Sequence, residues 1–178
     1  MMTMSALTRI QALIEERQSP EAGALKLEEL QAWSDHVLVR VHVAVMVEPY
    51  LAKIQRGDKY IESRLTKVNI VPFDRARSGD VILFKRSGGA VVAIAEVATV
   101  AFQQLSRPGA LNQLVAQHQE GLSYESGYAA TKCEARYASL LWLRDVKPIA
   151  PLLIQKRGRQ AWLTFEPTAR TRADAALF

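Results

Sequence analysis

One segment decides the fold of this chain: Gly57-Asp58-Lys59-Tyr60-Ile61-Glu62-Ser63-Arg64. It places a glycine, an ammonium group, a carboxylate and a guanidinium group within a single short stretch. Residues 49–56 before it have the pattern of a short helix, with Pro49 in the first turn and Gly57 as the C-terminal stop. Residues 60–65 alternate as a strand does. The sequence therefore predicts a sharp turn from helix to strand, with charged side chains at the mouth of a cleft.

The rest of the chain is predicted to contain many short strands and few helices. Every second residue from 37 to 47 is valine, a β-branched residue that suits a strand, and we expect this valine face to be core. Ser87-Gly88-Gly89 has the composition of a hairpin turn. This pattern favours the α+β class, as a small β-barrel with peripheral helices, over a parallel α/β sheet. Further strands are predicted over 81–84, 90–100, 138–143, 152–155 and 161–165.

Helices are predicted at the N-terminus and in the middle of the chain. Residues 5–17 carry apolar residues at helical spacing, and a run from Ser19 has the features of a cap for a second helix that ends near Trp33. We therefore divide the chain into an N-terminal helical extension, residues 1–36, and a barrel domain, residues 37–178. Within residues 103–137, which interrupt the strands, Pro108 is predicted to begin a helix and Gly121 to end it.

Composition and charge set limits on the class of protein. The chain has 178 residues, 49% of them hydrophobic, which suffices for a core. No apolar run is long enough to span a bilayer, no secretory signal is recognisable, and the single cysteine fits a reducing compartment, so we expect a cytoplasmic protein without membrane contact. Residues 37–178 hold 20 basic and 12 acidic side chains. This basic body favours an anionic partner, with nucleic acid first, although many soluble proteins carry such a charge without one.

The side chains of the Gly57 segment suit an anionic or hydrogen-bonding ligand. Lys59 is a compact charge for a phosphate, and burial would lower its pKa towards the range of proton transfer. Glu62 and Arg64 share one strand face, where they either form a structural salt bridge or contact a ligand, Arg64 through a forked contact with phosphate. Strict alternation places Lys59 on the opposite face unless the strand begins after it or bulges there.

The residues Gly57, Lys59, Glu62 and Arg64 match the pattern G-x-K-x-x-E-x-R, and by this motif the chain resembles the ASCH domain family (activating signal cointegrator homology). The order of short helix, Gly-Asp turn, strand and hairpin is also similar to that family, over about residues 41–165. The resemblance implies a β-barrel like that of the PUA domains, which bind RNA. It also implies RNA, a nucleotide or a modified nucleoside as the ligand. Some members of the family are described as nucleases and others as amidohydrolases of acetylated cytidine.

The amidohydrolase branch of this family uses the motif lysine, a threonine three residues later and a glutamate on a later strand. Lys59 matches the lysine, and Glu96 matches the glutamate by strand order, but Glu62 occupies the threonine position. A carboxylate does not replace a hydroxyl nucleophile without a change of mechanism, so this departure argues against deacetylation. Lys59 with Glu62 or Glu96 can still transfer protons, and these three are the predicted catalytic residues.

Residues that bind nucleic acid are predicted around the same cleft. Tyr50 and Lys53 lie on one face of the short helix before the motif, and Ser139 on a late strand is a candidate hydroxyl donor or nucleophile. The basic turn of residues 156–159 is either a contact for a phosphate backbone or a solvated turn. The predicted set is Tyr50, Lys53, Gly57, Lys59, Arg64 and Ser139.

These patterns predict an RNA- or nucleotide-binding ASCH-type domain with a basic cleft. The alternative is a hydrolase that acts on RNA, as a ribonuclease, or on a modified nucleoside such as N4-acetylcytidine. A third hypothesis is that the N-terminal helices dock a protein partner. No cofactor is implied, and the His and Cys residues lack the spacing of metal ligands, so no metal is expected. The oligomeric state stays open.

Overall fold

The computed structural model describes residues 3–168, which contain five α-helices and six strands. A 3₁₀ turn, Ala129–Lys132, precedes the fifth strand. None of the described helices has both the length and the hydrophobicity to cross a lipid bilayer. In chain order the elements are α1 (Ala6–Glu16), α2 (Leu27–Val37), β1 (Val41–Met46), α3 (Tyr50–Arg56), β2 (Ile61–Thr66), β3 (Val81–Arg86), β4 (Val91–Gln104), α4 (Ala110–Gln117), α5 (Gln119–Leu122), β5 (Tyr137–Leu152) and β6 (Trp162–Phe165).

The strands form one mixed sheet in the order β2-β5-β4-β3-β1-β6. β1 runs parallel to β3, and the other neighbours pair antiparallel. The long β4–β5 ladder shifts register at three places. Such irregularities bend and twist strands, which suits a sheet that curls into a half-barrel with β2 and β6 at its edges. The predicted α+β class, with a curled sheet and peripheral helices, is confirmed.

Apolar side chains are buried on both faces of the sheet. On one face Val41 and Val43 pack with residues of α1 and α2, and on the other Ala44 and Met46 pack with residues of α3. The prediction of a single valine core face was therefore incomplete, because helices cover both sides of β1. Val37 and Val47 do not belong to the strand, since Val37 is the last residue of α2 and Val47 follows β1 and is 56% exposed.

The N-terminal helices share a continuous core with the sheet, since their apolar residues belong to the same cluster as those of β1, β3 and β4. The predicted boundary after residue 36 falls at the end of α2. The second helix begins at Leu27, so the prediction that it starts near Ser19 was wrong. Ser19 Oγ instead accepts the Glu21 amide within a tight turn, and the Glu29 carboxylate accepts the Lys26 amide at the true helix start.

The strands predicted over 138–143 and 152–155 differ from the observed ones. β5 runs without a break over Tyr137–Leu152, and beyond it Ile154 makes only an isolated bridge to Leu25. Pro148 lies inside this strand, opposite Ala93. A proline is tolerated there because the ladder already shifts register next to Ala93, so its missing N–H donor costs little.

Candidate functional site

A cavity of about 190 Å³ opens beside the Gly57 segment. Residues of strands β1 and β2 form two of its walls, and residues of the segment after α5 form a third. The wall combines aromatic rings with charged groups, which is the composition of a site that holds a planar, polar ligand. The residues that carry this character are Tyr50, Lys59, Glu62, Arg64, Tyr124, Tyr128 and Lys132.

The helix-to-strand turn brings Lys59 to the cavity. Gly57 caps α3 with φ 84°, a left-handed conformation that glycine adopts without steric cost. β2 begins only at Ile61, so Lys59 lies before the strand. The alternation of side chains between the two faces of β2 therefore does not apply to Lys59. Lys59 and Glu62 therefore line the same cavity, as the sequence allowed if the strand began after the lysine.

Lys59 is a buried cation, with only 2% of its surface exposed. Its Nζ donates to the Leu122 carbonyl at 2.7 Å and lies 5.1 Å and 5.5 Å from the ring centroids of Tyr124 and Tyr50. Burial lowers the pKa of Lys59 below the usual lysine value, although the Glu62 carboxylate opposes the shift. Because burying the Lys59 ammonium group costs free energy, this lysine is a candidate for ligand binding or proton transfer.

Gly121 sets the position of the carbonyl that Lys59 contacts. The sequence predicted that this glycine ends a helix, but it lies inside α5, against β2. A Cβ at Gly121 would overlap the Ile61 side chain and the Tyr60 ring, so any larger residue here requires those side chains to shift. The Gly121 carbonyl accepts the Tyr60 amide at 3.1 Å, and this contact holds α5 beside Lys59.

Arg64 closes the seam between the two edges of the sheet. From β2 its guanidinium donates to the carbonyls of Val45 at 3.0 Å and Ala161 at 3.3 Å, and it lies 5.0 Å from the centroid of the Trp162 ring. Arg64 Nε lies 3.3 Å from Glu62 Oε1. Much of the guanidinium fork is therefore engaged within the protein, and the structure assigns it a clear part in holding the cavity wall.

Glu62 offers an unused acceptor to the cavity. Its side chain is 4% exposed, and Oε2 is buried without a hydrogen-bond partner among the described residues. A buried carboxylate oxygen without a donor carries a substantial desolvation cost, which a donor on a ligand can offset. Arg64 Nε, 3.3 Å from Glu62 Oε1, is likewise buried without a hydrogen-bond partner among the described residues, so Glu62 Oε2 is available to accept a donor from a ligand.

Three tyrosines form the aromatic side of the cavity. The ring of Tyr128 lies 5.0 Å from that of Tyr50 and 4.6 Å from that of Tyr124, and the Tyr124 hydroxyl forms a short hydrogen bond with Ser63 Oγ. Burial raises the pKa of Tyr124 and of Tyr128, so both phenols stay neutral at physiological pH. Sequence reasoning missed Tyr124, Tyr128, Ser63 and Lys132. The four-residue spacing of the two tyrosines is no guide, because residues 123–128 do not form a helix.

Lys53 and Gly57 belong to the surroundings of the cavity rather than to its lining. The Lys53 ammonium donates to the Ser123 carbonyl at 2.7 Å and lies 3.3 Å from a Glu125 carboxylate oxygen. Lys53 therefore fixes the segment that carries Tyr124. Tyr50, which does line the cavity, assists through its hydroxyl, which accepts the Glu125 amide.

The structure does not bring Glu96 or Ser139 into the cavity lining. Glu96 Oε2 lies 2.9 Å from Arg144 Nε, which places its carboxylate in an ion pair between β4 and β5. Strand order alone suggested Glu96, and it did not specify the position along the strand. Ser139 is buried on β5, opposite Arg64 in the β2–β5 ladder. Within residues 3–168, no group of three His, Cys, Asp or Glu side chains is arranged to hold a metal ion.

A buried polar network lies behind Arg64. His42 Nε2 is 2.8 Å from Asp80 Oδ2, and Trp162 Nε1 donates to His42 Nδ1 at 3.1 Å. Thr164 Oγ1 lies 2.9 Å from His42 Nδ1 and also accepts the Trp162 indole N–H at 3.2 Å, so the imidazole is held by polar contacts at both ring nitrogens. This network fixes Trp162, on whose ring the Arg64 guanidinium lies.

Similarity to solved structures is limited to the fold. The crystal structure of an ASCH protein from Zymomonas mobilis superposes with a TM-score of 0.56 at 17% identity, over 77% of this chain and 94% of that one. Variants of that protein, one with a serine changed to alanine and one with a tyrosine changed to phenylalanine, match at the same TM-score with 16% and 17% identity. They cover 77% of this chain and 95% and 97% of theirs. No family model matches the sequence, and no curated protein matches it significantly. This chain has an ASCH-like fold, as its motif predicted.

Proposed function

We propose that this ASCH-like domain binds single-stranded RNA and accepts one base of it in the cavity. The observation that carries the proposal is the unpaired Glu62 Oε2, buried in the cavity wall. Unstacked bases present N–H donors on their edges, and protein modules for single-stranded RNA bind such edges with buried polar groups. A base is therefore a ligand that supplies the missing donor.

The other walls of the cavity support the same ligand. The rings of Tyr50, Tyr124 and Tyr128 offer aromatic surface, and aromatic side chains stack on extruded bases in RNA-binding domains. Lys59 and Lys132 supply positive charge for the sugar-phosphate part of the nucleotide. The volume of about 190 Å³ suits a single base rather than a duplex.

Changing Glu62 to glutamine is expected to weaken RNA binding about tenfold. An amide at this position has one oxygen and one NH₂ group, so either the ligand or Arg64 meets a donor instead of an acceptor. Fluorescence anisotropy with a labelled single-stranded RNA measures the effect. The matched control is Glu134→Gln, because Glu134 is an exposed glutamate paired with Lys67.

The control variant should bind as the parent protein does. Equal affinity of the parent and the Glu62→Gln variant, with both proteins folded, would remove the main support for a base in this cavity. Thermal melts of the three proteins establish that each is folded.

A second candidate function is hydrolysis of RNA or of a modified nucleoside such as N4-acetylcytidine. It is favoured by the lowered pKa of Lys59, which increases the neutral amine available to accept a proton, and by the Ser63 hydroxyl in the same cavity. The Glu62 carboxylate lies close enough to raise the pKa of Lys59 against the effect of burial, and Glu62 completes the candidate acid–base group. Glu96 pairs with Arg144 outside the cavity and is not part of this proposal.

If the site is hydrolytic, Lys59→Ala should lower turnover by about a hundredfold or more, the usual contribution of a positioned acid or base. Product formation from RNA oligomers and from N4-acetylcytidine, followed by chromatography, measures it. Lys67→Ala serves as the control, because Lys67 is exposed and outside the cavity. Absence of turnover by the parent protein on both substrates leaves only the binding function.

A further inference from the structure

A second, larger depression adjoins the cavity. Its volume is about 620 Å³, and it extends towards the β3–β4 hairpin and the turn of residues 156–159. Arg64, Tyr128, Lys132 and Ala161 line both depressions, so the two are continuous. We call the larger one the basic groove, defined by Lys85, Lys132, Lys156 and Arg159 together with Arg64.

The basic groove concentrates charge of one sign. Five basic side chains contribute to its lining, and no Asp or Glu among the described residues does. Lys85 is 9% exposed, and its Nζ donates to the Arg86 carbonyl at 3.1 Å. Burial, and secondarily the charge of Lys156, lowers the pKa of Lys85. Like charges held together in a partly desolvated groove repel each other, and a bound anion relieves that repulsion.

From this continuity we infer that the basic groove holds the phosphates of nucleotides adjacent to the one in the cavity. The ligand is then a single-stranded oligonucleotide rather than a free nucleoside. This inference rests on the proposed function of the cavity, and it adds phosphate subsites that the cavity itself does not contain. Proteins that bind single strands combine a positive groove along the backbone with aromatic platforms for bases in the same way.

The surroundings of the groove favour a nucleic acid over an acidic peptide. The groove leads into the cavity, where the buried Glu62 carboxylate would repel the carboxylates of a peptide. The same carboxylate attracts the N–H groups of a base, and the tyrosines beside it offer stacking surface. A ligand with phosphates matches the basic groove, and a ligand with bases matches the cavity, so a nucleic acid fits the two together.

The test compares a single-stranded RNA oligomer with a mononucleotide. The double variant Lys156→Gln/Arg159→Gln removes two exposed or half-exposed charges of the groove and leaves the cavity residues unchanged. It should weaken oligomer binding about tenfold and reduce the slope of log K against log salt by about 1.4, whereas mononucleotide binding stays as in the parent protein. Lys85→Met, tested separately, should also weaken oligomer binding, because Lys85 lines the groove.

The matched control is Lys67→Gln/Arg107→Gln, which removes two exposed charges outside the groove and the cavity. It should leave both affinity and salt slope near those of the parent. The inference is overturned if the groove variants bind the oligomer as the parent does, if the oligomer binds no more tightly than the mononucleotide, or if polyglutamate competes as well as RNA. If neither oligomer nor mononucleotide binds the parent protein, the function of the cavity fails first, and the inference fails with it.

Discussion

Replacing Lys59 with methionine is expected to make the protein more stable and a worse RNA binder. Methionine has a similar length but no charge, so the variant avoids the cost of burying an ammonium group. It also leaves the Leu122 carbonyl without its donor and Glu62 without the nearby cation, so the net gain in stability is only about 1 kcal/mol. For a chain of this size that corresponds to a rise in melting temperature of about 2–4 °C. RNA affinity should fall at least about tenfold, because the ammonium group that the cavity holds for the ligand is lost.

The pH dependence of this stability difference has a definite sign. The folded protein has a lowered pKa at Lys59, so between that pKa and the unfolded value near 10.5 the unfolded chain binds a proton that the folded one does not. The stability of the parent protein at this group therefore rises with pH through that interval. The advantage of the methionine variant should be full at pH values below the lowered pKa of folded Lys59 and shrink as the pH rises from there towards 10.5.

Calorimetric melts at several pH values, together with RNA titrations, measure both effects. Lys67→Met is the control, because Lys67 is exposed and lies outside the cavity. A Lys59→Met protein that melts several degrees lower and binds RNA normally would show that Lys59 is only a structural residue. A stable variant with weakened binding is the signature of a residue retained for function.

Replacing Asp80 with alanine is expected to cause the largest loss of stability. The Asp80 carboxylate accepts the imidazole N–H of His42 and the backbone N–H of Arg77, and it is 1% exposed. Alanine leaves two donors without an acceptor, and each unsatisfied buried group costs about 1–3 kcal/mol. We expect a loss of about 3 kcal/mol, or a fall in melting temperature of about 10 °C.

The control for this change is Asp58→Ala, because Asp58 and its partner Arg56 are each more than half exposed. An exposed pair of this kind contributes little, so the control should melt close to the parent protein. The Asp80 variant should also lose RNA affinity, since the network orients Trp162 beneath Arg64. A melting temperature unchanged by Asp80→Ala would mean that the His42 network is not a structural support of the site.

The parts of the fold that local chemistry determines were predicted well from the sequence. The short helix α3, its stop at Gly57 and the start of β2 depend on neighbouring residues, and the structure has them close to the predicted bounds. The second N-terminal helix was misplaced because Ser19 has the local features of a helix cap. Its hydroxyl closes a turn instead, and the Lys26–Glu29 contact starts the helix.

The candidate site depends on contacts between distant segments, which explains what the sequence did not show. Tyr124 and Tyr128 reach the cavity from a segment without a regular hydrophobic pattern, so nothing local linked them to Lys59. Glu96 was suggested by strand order, but its partner across the β4–β5 ladder is Arg144. The role of Arg64 in closing the sheet follows from the curl of the whole sheet, which no single strand reveals.

The most direct test of the central claim, that the cavity receives a base of single-stranded RNA, uses the five tyrosines of the chain as probes. Three of them line the cavity, whereas Tyr60 and Tyr137 do not. In the protein labelled with 3-fluorotyrosine, ¹⁹F NMR during titration with RNA should show shifts of the Tyr50, Tyr124 and Tyr128 resonances, with Tyr60 and Tyr137 nearly unchanged. Saturating RNA that leaves the three cavity resonances in place would contradict the account.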